Sequence, residues 1–119
     1  MRILVVNRVD DPACREAMGL IPGAEVRVEN ESNHTACLEA FVGFAPQTIV
    51  VSDPTDPEGI GDMYREYSGL RIWHPSSVSM RESPYCFFTD VKVYPGVTHG
   101  FPSMTDLDEL AVRVVEECV

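Results

Sequence analysis

Long apolar runs are missing from this 119-residue chain. None approaches the roughly 20 residues needed to span a bilayer, so no membrane association is expected. Positive charge is scarce. Nine Lys and Arg stand against 19 Asp and Glu, a formal net charge of −10. Binding to a nucleic-acid backbone needs a basic face, so direct nucleic-acid binding is not expected either. The four cysteines, Cys14, Cys37, Cys86 and Cys118, are scattered with no C-x-x-C pair, which argues against a zinc site. Met1 and Arg2 run straight into an apolar strand with no signal-peptide pattern, so a cytoplasmic location is expected. Disulfides are rare there, and free Cys on a helix is usually a small buried hydrophobe. Phosphate-binding loops of the G-x-x-x-x-G-K-[ST] and G-x-G-x-x-G types are absent, and so is the G-x-S-x-G elbow. The chain therefore carries no strong cofactor or nucleophile motif.

What is present is the patterning of one ordinary globular domain. The apolar fraction is 45% and the charged fraction 24%, which rules out a disordered composition. A domain of this length buries roughly two-thirds of its unfolded surface, enough for one core. Arg2 to Val6 reads R-I-L-V-V and Thr48 to Val51 reads T-I-V-V. Runs apolar throughout belong to strands covered on both faces. Ala24 to Val28 alternates, as does Val91 to Tyr94, which suits edge positions. Leu70 to Trp73 is a further short strand, and the fifth lies within Phe87 to Tyr94.

Helices are expected between the strands. Asp11-Pro12 has the form of an N-cap and first turn. It opens a helix to about Leu20, with Ala13, Ala17 and Leu20 or Ile21 inward, stopped by Pro22-Gly23. Thr35 is a candidate cap for a second helix with Leu38, Phe41, Val42 and Phe44 at helical spacing, ended by Pro46. A third covers about Gly61 to Tyr67. His74 to Pro84 and Pro95 to Ser103 read as irregular. Thr105-x-x-Asp108 resembles a capping box before a last helix with Leu107, Leu110, Ala111, Val114 and Cys118 on one stripe. Alternating strands and helices imply right-handed crossovers and a parallel sheet. The expectation is one α/β domain over residues 1–119: an open, parallel, three-layer, flavodoxin-like sheet of five strands in the order 2-1-3-4-5, with helices on both faces.

In such a sheet, ligands collect at the carboxyl ends of the strands. At this point the chain resembles the receiver domains of response regulators. The apolar first strand, then Asp10-Asp11-Pro12 and Arg15-Glu16-Ala17, is similar to a receiver opening. Asp53 ends the third strand where receivers carry their phospho-accepting aspartate, with Pro57 and Gly61 spaced as in the receiver loop. The likeness covers about the first half. Asn7 and Arg8 hold the positions of the receiver's acidic pair, Trp73-His74-Pro75 precedes Ser76 where a receiver keeps Ser or Thr, and Tyr94-Pro95 stands where a receiver has Lys-Pro. The resemblance implies a non-catalytic, receiver-like regulatory domain that works by binding a protein partner. Asp53, Asp10, Asp11 and Asn7 form the candidate acidic pocket. No cofactor is expected, except magnesium if that pocket is functional. The plainer alternative is that Asp53-Pro54 and Asp56-Pro57 are turn formers.

Two other local likenesses compete. Asp56-Pro57-Glu58-Gly59 and Asp62 faintly resemble the site of small nucleoside-processing enzymes of the deoxyribosyltransferase type. That reading gives a nucleotide- or nucleoside-binding enzyme with Asp56, Asp62, His74, Tyr94 and His99 as its rim. Tyr94 to Phe101 resembles the histidine loop of dienelactone-hydrolase-like enzymes, but the chain has no nucleophile elbow to match. The acidity favours a basic protein partner, and a homodimer through an edge strand or the last helix is a general expectation for short α/β domains.

Overall fold

A computed structural model of the chain describes residues 1–53, 55, 59–60, 85–89, 103–104 and 106–118. The elements run β1 (Arg2–Asn7), α1 (Pro12–Gly19), β2 (Glu25–Asn30), α2 (His34–Glu39) with a π-helical turn over Ala40–Phe44, β3 (Thr48–Ser52), β4 (Tyr85–Thr89), β5 (Ser103–Met104) and α3 (Leu107–Cys118). The sheet order is β2-β1-β3-β4-β5. Both β2 and β3 pair with β1 in parallel, with Val5 beside Val28 on one side and Val50 on the other. The fold is therefore mixed α/β, with apolar β1 and β3 inside and β2 at the edge.

The pleat of β1 and β3 divides the core. Leu4, Val6, Ile49 and Val51 face one way and pack with Cys37, Ala40, Phe41 and Ile60. Ile3, Val5 and Val50 face the other way and pack with Cys14, Met18 and Ile21 at α1 and with Leu110 and Val114 of α3. Because side chains alternate along a strand, four consecutive apolar residues serve two helical layers. This is why β1 and β3 show no polar position in between.

One expectation about the sheet is corrected. The strand beside β3 is antiparallel, pairing Ser52 with Tyr85 and Thr48 with Thr89, and β5 is antiparallel to it in turn. Apolar patterning reports burial and carries no information on strand direction, so an all-parallel sheet did not follow from it. Ser103, expected to end a loop, opens β5. Part of the fifth strand expected within Phe87 to Tyr94 is present in β4, which lies between β3 and β5 and not at the expected edge; residues 90–94, the expected strand at Leu70–Trp73 and the helix at Gly61–Tyr67 lie outside the described residues.

Helix caps and phases also differ in detail. Asn33 caps α2 through the Ala36 N–H at 3.1 Å, in place of Thr35. Asp106 caps α3, accepting from the N–H groups of Asp108 and Glu109 at 2.8 and 3.1 Å. In both cases the better-ranked Asx side chain does the capping. In α1 the buried stripe is Cys14, Met18 and Ile21, while Ala13 and Leu20 face solvent. In α2 and its π turn, Cys37, Ala40 and Phe41 are buried and Leu38 and Val42 are exposed. Ala45 ends this segment with φ 49°, its N–H reaching the Ala40 carbonyl at 3.1 Å. Pro46 disfavours continuing the helix through the residue before it, and the segment ends at a left-handed cap residue of the kind that commonly closes helices.

Phe41→Ala should lower stability to urea unfolding by about 3–5 kcal/mol, the usual cost of deleting a buried ring. Val42→Ala, one residue on but exposed, should change it by less than about 0.5 kcal/mol.

Candidate functional site

The carboxyl ends of β1 and β3 are tied together by polar residues. Asn7 is the last residue of β1 and is buried; its carbonyl accepts from the Glu31 N–H at 2.8 Å. The Arg8 N–H bonds to the Ser52 carbonyl at 3.4 Å, and the Asn30 side chain donates to the Arg8 carbonyl at 3.3 Å. The Glu31 carboxylate accepts from the Thr55 N–H at 2.9 and 3.0 Å. The segments after β1, β2 and β3 thus hold one another in place.

Asp11 is the centre of this end of the sheet. One carboxylate oxygen accepts the Cys14 N–H at 3.1 Å and so caps α1. The other accepts the Ser52 hydroxyl at 2.7 Å and the Tyr85 hydroxyl at 2.9 Å. An antiparallel strand begins where its parallel neighbours end. This is how β4 delivers its first residue, Tyr85, to the tip of β3.

These contacts set the protonation of the group. Partial burial pushes the Asp11 carboxyl up, but the hydrogen bonds from Ser52, Cys14 and Tyr85 outweigh it and hold the group below the ordinary aspartate value. Burial pushes the Tyr85 phenol up to about 12, and its bond to the Asp11 carboxylate acts in the same direction. Burial and the neighbouring Asp11 charge push the Cys14 thiol up to about 12. Cys14 is therefore a neutral thiol at physiological pH and a poor nucleophile.

Asp53 is held differently. It lies just past β3 with φ 44°, a left-handed conformation that Asp tolerates better than most residues. Arg8 binds it twice, by an ion pair to the carboxylate and by its Nε to the Asp53 carbonyl at 3.1 Å. Both side chains are about half exposed, at 48% and 61%, so the pair contributes little to stability. Its effect is on availability, because the Asp53 carboxylate has a cation on it.

Of the residues selected from sequence, Asn7, Asp11 and Asp53 lie along this end of the sheet. Asp11 meets Ser52 and Tyr85, and Asp53 meets Arg8. Asp10 is exposed and takes no part in these hydrogen bonds. Asp56, Asp62, His74, Tyr94 and His99 lie outside the described residues. Ser52, Tyr85 and Arg8 were not selected. The available signal was that Ser52 closes an apolar strand and that Tyr85 opens the run Y-C-F-F. Among the described residues, no three His, Cys, Asp or Glu side chains are grouped to hold a metal ion, and no helix is long and apolar enough to cross a membrane. The chain matches no family model, no curated protein and no solved structure.

The pKa directions predict how stability varies with pH. Asp11 is depressed in the folded state, so its contribution is present above about 3.8 and is lost as pH falls through its lower folded value. Tyr85 is raised from 10 to about 12, so its contribution is complete below pH 10 and is lost between 10 and 12. Melting temperature measured against pH should show a smaller alkaline fall in Tyr85→Phe than in the wild type. An alkaline limb identical in both proteins would contradict the assignment.

Proposed function

We propose that this chain is a non-catalytic, receiver-like regulatory domain that acts by binding a protein partner. The fold reading behind it is a flavodoxin-like one, supported by the β2-β1-β3 order with α2 on one face and α1 and α3 on the other. The antiparallel β4 departs from that pattern, so the likeness rests on the β1 to β3 half of the chain.

The observation that carries the proposal is the Arg8–Asp53 pair. In the receiver pattern, the aspartate after the third strand works beside acidic groups that hold magnesium. Here Arg8 stands at one of those acidic positions and neutralises Asp53. An arginine beside the carboxylate opposes binding of a divalent cation through like-charge repulsion. Asp11, the acid next along the chain with a defined site, has its oxygens engaged by the α1 cap and by two hydroxyl groups. Asp53 and Asp11 are thus both engaged by other groups. What remains is an α/β framework whose described surfaces are available to a protein partner.

The protein incubated with acetyl phosphate and magnesium should show no added phosphoryl group by intact mass. A single-phosphoryl gain that disappears in Asp53→Asn would overturn the proposal. Replacing Arg8 with Ala should lower stability by no more than about 1 kcal/mol, because the pair is exposed.

A further inference from the structure

We infer that the groove between α1 and α3 is the docking site for a basic amphipathic helix of another protein. This rests on the regulatory reading above and names the chemistry of the partner. The groove has a volume of about 480 Å³. Its floor and walls are Ala17, Leu20 and Ile21 at the end of α1 and Ala111, Val112 and Val115 of α3. Leu20 is 76% exposed and Val112 55% exposed. Both side chains line the same concave, mainly apolar surface.

The shape fits a helix. The α3 stripe along the groove runs from Asp108 through Val112 to Glu116, at spacings of four residues. That is about 12 Å of helix, or a little over two turns. A partner helix presenting apolar side chains at i, i+3 or i+4, and i+7 would cover this length. The lining offers no set of converging polar groups such as fixes the orientation of a small ligand.

The charge selects the partner. Asp108 and Glu116 stand at the two ends of the α3 stripe and line the groove. The groove lining contains no Lys or Arg, and the chain carries −10 overall. A second copy related by a two-fold axis would set this acidic rim against another acidic rim, which is unfavourable. A helix with Lys or Arg beside its apolar face would meet the rim with opposite charge. Glu116 adds a local argument. It sits in the last turn of α3, where the negative end of the helix dipole disfavours an acid. The helix itself gains nothing from it there.

The test is selection from a display library of helical peptides with randomised surface positions, using the whole chain as bait. The enriched peptides should carry two or three large apolar residues at helical spacing flanked by Lys or Arg. Leu20→Ser and Val112→Ser, both at exposed positions, should weaken them at least tenfold with the melting temperature essentially unchanged. Glu116→Lys should also weaken binding at least tenfold while leaving the fold as stable as before or more so. Three outcomes would overturn the inference: no enrichment, enriched peptides without basic residues, or peptides that bind the Ser variants as well as the wild type. A dimer in sedimentation that Val112→Ser converts to monomer would assign the groove to a second copy and overturn it too. Failure here with no phosphorylation by acetyl phosphate removes the groove assignment alone. Phosphorylation of Asp53 removes the regulatory reading whatever the peptides do.

Discussion

The Asp11 carboxylate is the interaction on which this end of the molecule depends. It accepts the Cys14 N–H in the first turn of α1, the hydroxyl that closes β3 and the hydroxyl that opens β4. One side chain therefore fixes a helix start relative to two strands. A carboxylate accepting several hydrogen bonds in a partly buried setting is stabilised in its charged form, and each bond to a charged group counts for more than a neutral one. Removing it would leave two hydroxyl groups and a helix end to find other partners.

This arrangement explains why the antiparallel direction of β4 matters. Had β4 run parallel to β3, its last residue rather than its first would have met the tip of β3. The reversal brings Tyr85 to Ser52 and places a phenol where Asp11 can receive it. Beside this brace, Arg8 and Asp53 form an exposed pair that does little for stability and much for charge. At the polar end of the sheet, Asp53 is thus paired with Arg8 and Asp11 is hydrogen-bonded. A concave apolar surface with the exposed Leu20 and Val112 lies between α1 and α3. That contrast moves the functional interest from the strand tips to the helical face.

Much of the framework was legible in the sequence because burial leaves a direct mark on composition. The runs I-L-V-V and T-I-V-V are apolar on both faces, and β1 and β3 are indeed buried on both. Asp11-Pro12 reads as a helix start and is one, and of the expected α3 stripe Leu107, Leu110, Ala111 and Val114 pack into the core, the Cys118 side chain lying outside the described residues. Direction and phase were less legible. Strand polarity is decided by how the chain returns to the sheet, which patterning does not encode. The caps at Asn33 and Asp106 lay one or two residues from the ones expected, because neighbouring Asx and Thr side chains compete and geometry chooses. The part played by Asp11 was half visible: the cap could be read locally, but its bonds to Ser52 and Tyr85 span 41 and 74 residues and have no local signature. Arg8 was visible as a departure from the receiver pattern, and its contact with Asp53 needed three dimensions.

The central claim is that Asp11 and Tyr85 are energetically coupled across the sheet. A double-mutant cycle with Asp11→Asn, Tyr85→Phe and the double variant, followed by urea unfolding, measures this directly. The account predicts a coupling of about 1.5–3 kcal/mol, the range for a hydrogen bond to a charged group. Strict additivity of the two substitutions would contradict it.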